Sequence, residues 1–139
     1  MIAVYTFAQL QRGMSHEIRH PLTLSDIESF SRMTGDFHPL HCDRDYAVAH
    51  GFRDVIAHGL LVSSFASTLI GMHLPGENTL VMSQKFQYPS PAYPGDTLTI
   101  RGEVQQLDER FLTVEIGVRI TNQEDVLVSK GTFAIKMRG

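Results

Sequence analysis

Apolar side chains recur along this chain at two intervals, helical before Pro75 and alternating or strand-like after it. Ser15 to Arg19 alternates polar and apolar residues, which predicts a short strand leading into His20-Pro21. Ser25-Asp26-Ile27-Glu28 has the form of a capping box. Ile27, Phe30, Ser31 and Met33 follow at helical spacing until Gly35 offers a stop. Asp43 to His50 suits a second short helix, with Gly51 as its cap, and the residues between the two helices are expected to form a tight loop. From Gly59 onward Leu60, Leu61, Phe65, Leu69 and Met72 recur at helical intervals, with small Ser63, Ala66 and Ser67 between them. This predicts a long helix closed by Pro75-Gly76.

Beyond it, Leu80 to Tyr88, Thr97 to Leu107, Phe111 to Asn122 and Val126 to Met137 are rich in Val, Ile, Thr and aromatics and predict four strands. The connections at Asp108 to Arg110 and Asn122 to Asp125 are short enough for antiparallel hairpins. Helices first and strands afterwards imply an α+β fold in which an antiparallel sheet wraps one central helix. Such a sheet covers the helix on one side only, so a homodimer is expected.

The chain has 139 residues, 42% of them hydrophobic, which suits a single domain over residues 1–139 with one core. Its 15 acidic and 12 basic residues give a net charge of -3 and are scattered, so nucleic acid is not an expected partner. The most apolar stretch, Val55 to Met72, carries His58, Ser63, Ser64, Ser67 and Thr68, too polar for an easy bilayer span; no membrane association is expected. A single cysteine, Cys42, cannot form a disulfide within the chain, and no basic-then-apolar leader is visible. The expectation is a reduced, cytoplasmic protein.

The candidate chemistry lies in Thr34-Gly35-Asp36-Phe37-His38-Pro39-Leu40-His41. Asp36 and His41 stand at a spacing that would misalign them on a helix, but Gly35 and Pro39 argue for a turn that can aim both into one cavity. A carboxylate and an imidazole together suit proton transfer near neutral pH. From residue types and spacing alone the favoured reading is that Asp36 closes the turn and His41 is an ordinary half-buried histidine, since Asp after Gly is common turn chemistry.

The wider pattern resembles MaoC-like (R)-specific enoyl-CoA hydratases. The likeness runs from Phe30-Ser31-Arg32-Met33-Thr34-Gly35-Asp36-Phe37-His38-Pro39-Leu40-His41, with Asp43 and Tyr46-Ala47, through Ile56-Ala57-His58-Gly59-Leu60-Leu61 and Leu74-Pro75-Gly76 to Tyr93-Pro94-Gly95-Asp96-Thr97-Leu98. The resemblance implies the hot-dog fold and a catalytic Asp36 and His41. It also implies a Gly59 whose backbone N–H meets the thioester carbonyl, and a Ser67 that helps organise the site. Gly59 at a helix start makes physical sense in that role, because unsatisfied N–H groups and the helix dipole favour developing negative charge; a glycine chosen for close packing is the competing reading. Ser67 could instead bond back to a carbonyl one turn earlier.

The implied reaction is addition of water to a trans-2-enoyl-CoA, giving the (R)-3-hydroxyacyl-CoA. Rival readings are an acyl-CoA thioesterase of the same fold and a noncatalytic acyl-thioester binding module. Where many members have Asn, this chain has His38, expected to support the loop. His38, His41, Cys42 and Asp43 crowd together but match no zinc spacing, so no metal is expected. The absence of a glycine-rich phosphate loop implies no nucleotide cofactor. Arg53, Lys85 and Arg101 could meet the coenzyme's phosphates and are equally ordinary surface charges. Phe65, Leu69, Met72 and Met82 could line an acyl tunnel or form plain core.

Overall fold

The computed structural model describes residues 1–138. After a short 3-10 turn at Phe7–Gln9 come β1 (Ser15–Pro21), α1 (Leu24–Thr34), α2 (Pro39–Cys42), α3 (Arg44–Ala49) and α4 (Gly59–Thr68). β2 (Thr79–Gln87), β3 (Thr97–Asp108), β4 (Thr113–Thr121) and β5 (Leu127–Met137) follow. All strand pairs are antiparallel, in the order β1-β3-β4-β5-β2, so the expected hairpins β3-β4 and β4-β5 occupy the centre while β1 and β2 form the two edges.

The cap of α1 falls earlier than expected. Thr23 Oγ1 accepts from the Asp26 N–H at 3.1 Å and Asp26 accepts from the Thr23 N–H at 3.1 Å, so the reciprocal box joins Thr23 and Asp26 instead of Ser25 and Glu28. Ile27 and Ser31 face inward, whereas Met33 is exposed. The interval between α1 and α3 is also more ordered than a loop. Pro39 has its fixed φ at the first helical position, and one helical turn, α2, forms there.

α4 packs across β3, β4 and β5. Its buried seam is Leu61, Val62 and Ala66, continued by Leu69 and Ile70 in a π-helical turn over Leu69–His73. Leu60 and Met72, expected on the apolar stripe, are exposed. The seam meets Leu98, Ile100, Val104, Val114, Ile116, Val118, Ile120, Phe133 and Ile135 from alternate positions of the sheet, which together form the core. A long helix on an antiparallel sheet is the hot-dog arrangement; Gly59 at the helix start is partly exposed, while Ala66 and Leu69 further along are fully buried.

Candidate active site

Asp36 is presented by local bonds that begin where α1 ends. Gly35 caps the helix at φ 81°, a conformation glycine adopts without strain, and its N–H donates to the Ser31 carbonyl at 2.8 Å. Thr34 Oγ1 donates to the Phe30 carbonyl at 2.8 Å and accepts from the Asp36 N–H at 3.2 Å. Asp36 Oδ1 then accepts from the His38 N–H at 3.1 Å, a side-chain turn that leaves the second carboxylate oxygen for other work. His38 caps α2, with Nδ1 accepting from the Leu40 N–H at 3.1 Å. A histidine here therefore supplies the acceptor that a side-chain amide would have given the loop.

His41 lies at the end of that turn, half-buried, with Nδ1 at 2.7 Å from the Ile56 carbonyl. A carbonyl only accepts, so Nδ1 carries the proton and the neutral ring keeps its lone pair on Nε2. The Ile56 N–H returns a bond to the Leu40 carbonyl at 3.0 Å, tying α2 to the segment that leads into α4.

His58 ends that segment as the N-cap of α4 and is only 3% exposed. Its ring stacks on His41 with centroids 3.9 Å apart and an interplanar angle of 26°. Nε2 lies 3.1 Å from Ser31 Oγ and 3.3 Å from the Asp36 carbonyl. Burial pushes the His58 imidazole below its ordinary pKa; the Asp36 carbonyl opposes this, His41 reinforces it, and the Asp36 charge opposes it. Asp36, His41 and His58 each bring a polar side-chain atom within 4.8 Å of the others. As a metal site the trio brings three potential ligand atoms together, but not all are open. Nε2 of His58 is already engaged with Ser31 and the Asp36 carbonyl and its Nδ1 is closed off from solvent, so a metal held by all three residues would have to displace these contacts.

Gly59 is the first residue of α4, where a backbone N–H has no partner within the helix. A Cβ added there would stand 3.1–3.2 Å from the ring of Tyr88, so close packing is one demand this glycine meets. The Tyr88 hydroxyl lies 3.1 Å from Oγ of buried Ser63. Ser67, one turn beyond Ser63, is exposed, and among the described residues the bonds linking Asp36, His41 and His58 do not extend to it.

Arg53 is tied down away from the pair. It lies 4.2 Å over the Tyr93 ring and 3.4 Å from buried Asp96, whose carboxylate also accepts from the Tyr93 N–H and Gln123 Nε2, each at 2.9 Å. Lys85 and Arg101 border a separate depression of about 440 Å³ with Arg119 and Lys130. A groove of about 340 Å³ reaches His41 past Leu24, Ser31, Phe37, Cys42 and Val55. Of the proposed tunnel residues, Leu69 is core, Phe65 stacks on His20 with centroids 4.0 Å apart, and Met72 and Met82 are exposed.

By its place directly before Gly59, His58 could in sequence either pack against the helix entry or face the cavity, and nothing local decides between them; Ser31, Ser63 and Tyr88 were missed as site neighbours. Ser31 carried a usable signal, a polar residue on the inward stripe of α1.

The assembled features define a hot-dog protein with a carboxylate and an imidazole of fixed tautomer beside the N-terminus of its central helix. The chain belongs to the MaoC-like domain family, whose model matches residues 6–126. It is 29% identical to the (R)-specific enoyl-CoA hydratase of Aeromonas caviae over 128 residues, covering 92% of this chain and 96% of that protein. It is 28% identical to the (R)-specific enoyl-CoA hydratase of Rhodospirillum rubrum, covering 99% and 96%. The solved structure of the (R)-hydratase from A. caviae involved in PHA biosynthesis superimposes with a TM-score of 0.89 at 29% identity, over 93% of this chain and 98% of that one.

Proposed function

We propose that this protein is an (R)-specific enoyl-CoA hydratase, with Asp36 and His41 as its catalytic residues and the Gly59 N–H as the donor to the thioester oxygen. The observation that carries the reading is the fixed tautomer of His41: with Nδ1–H spent on the Ile56 carbonyl, Nε2 is left as a base beside the Asp36 carboxylate. Relatives named as (R)-specific enoyl-CoA hydratases over nearly the whole chain support the substrate class and product hand.

A water held between Asp36 and Nε2 of His41 adds its oxygen to the β carbon. Its proton passes to the pair as the alkene electrons shift onto the thioester oxygen, and the Gly59 N–H stabilises the enolate. The pair then returns one proton to the α carbon, which restores both groups to their starting state. Ser67 carries no step in this scheme. The protein is proposed to work as a homodimer on acyl-CoA.

Crotonyl-CoA followed by the absorbance of its conjugated alkene, together with free thiol, tests the reading. Native protein is expected to remove the alkene without releasing thiol, and Asp36→Ala and His41→Ala each to lower kcat at least about 100-fold. Thiol release would show a thioesterase, and full activity in both variants would overturn the assignment.

A further inference from the structure

His58 contacts both members of the proposed pair and adjoins the start of α4, while its own ring nitrogens are engaged or buried. It stacks on the base, bonds toward the main chain of the carboxylate residue, and immediately precedes the oxyanion donor in sequence. We propose that His58 is a positioning residue, a neutral platform that sets the His41 ring and the Asp36 backbone relative to the start of α4, and that Ser31 fixes its orientation. The proposal rests on the hydration reading for its consequence in rate, although its geometry stands apart from that reading.

The protonation state follows from the surroundings. The Asp36 carbonyl accepts only, so Nε2 is the nitrogen that carries a proton, and Ser31 Oγ lies within reach of the same N–H. Nδ1 is buried and has no hydrogen-bond partner among the described residues. In a neutral ring Nδ1 is a bare acceptor, whereas protonation would bury an unpaired N–H donor and place a cation 3.9 Å from the His41 ring. The ring is therefore held neutral and cannot serve as a second acid. Phe30 closes a further side, its ring centroid 4.6 Å away in a tilted arrangement, so the imidazole has little room to rotate.

The position matters because proton transfer tolerates little misplacement. A shift of about 1 Å in a reacting group can cost on the order of 100-fold in rate. His58→Ala removes the stacked surface and the bond to the Asp36 carbonyl together, and Ser31→Ala releases the imidazole from one side. His58→Gln returns an N–H near the place of Nε2 without the ring.

Steady-state kinetics with crotonyl-CoA on protein corrected for folded fraction, combined with imidazole proton spectra, tests this. The His41 signal is assigned by its loss in His41→Ala. The expected result for His58→Ala is a kcat about 10- to 100-fold lower with KM changed by less than about threefold. His58→Gln should recover part of kcat, and Ser31→Ala should lower it by a smaller factor. The His41 ring signal should move in His58→Ala, because the ring current of a stacked neighbour is lost. Native kcat per folded molecule in His58→Ala, a rise in KM alone, or an unmoved His41 signal would each overturn the proposal. If native protein hydrates no enoyl-CoA, the hydration reading fails by itself, and the movement or stillness of the His41 signal still decides whether His58 positions that ring.

Discussion

Gly59 meets two demands, and one substitution separates them. Its N–H is free because of its place at the helix start, and its missing side chain lets the Tyr88 ring lie against the backbone. In Gly59→Ala the new methyl group must displace that ring by a few tenths of an ångström, which Tyr88 can allow because it is itself exposed. The cost to folding should be small, under about 1 kcal/mol, since alanine favours the helix that glycine weakens. The cost to catalysis should be larger, because the methyl and the moved ring crowd the approach to the N–H: kcat/KM should fall about tenfold or more while Tm barely changes. A large drop in Tm with intact kcat/KM would leave packing as the whole role of this glycine. Asp36 and His41 were legible as residue types in a turn, since Gly35 and Pro39 announce the break in the helix. The pairing of His58 with Ser31 was not, because it is a contact across 27 positions; only the inward place of polar Ser31 on α1 hinted at one half of it.

At the scale of elements, close approach is written into the sheet by a glycine that looks unremarkable in sequence. A Cβ on Gly102 in β3 would come within 2.4 Å of Leu69 Cδ2, so the helix continuing from α4 rests where the strand has no side chain. Leu69 is fully buried there. Gly102→Ala should destabilise the fold by about 1–3 kcal/mol through overpacking. Leu69→Ala should cost about 2–5 kcal/mol through the cavity it leaves. Because each change answers the other, the double variant should lose less than the sum, and urea unfolding of the four proteins measures that coupling. Strict additivity would show that the two side-chain positions do not share the space. The strands themselves were legible to within a residue or two, since β-branched alternation is a local property. The helix was legible in place and extent, but its seam was not: Leu60 and Leu61 are equally apolar, and only the sheet decides that Leu61 is covered.

The whole molecule has two unlike edges. β1 ends in Pro21 and carries His16, Glu17, Arg19 and His20, charged and polar groups that protect an open strand from pairing. β2 becomes polar in its second half, where Ser83, Gln84 and Lys85 follow a bulge after Val81. Among the described residues it pairs only with β5, and its exposed Leu80, Val81 and Met82, at 56%, 43% and 63%, form an apolar run at the sheet edge. An edge of that kind either aggregates or is covered, and a second copy of β2 laid antiparallel would extend the sheet and bury the run at once. The proposed homodimer is therefore expected to join at β2. Val81→Lys combined with Met82→Lys places two cations on that edge, which should separate the copies while sparing the core residues that face α4. Light scattering across a concentration series should give twice 15.6 kDa for native protein and 15.6 kDa for the variant. A native chain that stays monomeric at every concentration, or a variant that remains dimeric, would show that β2 is not the joining edge.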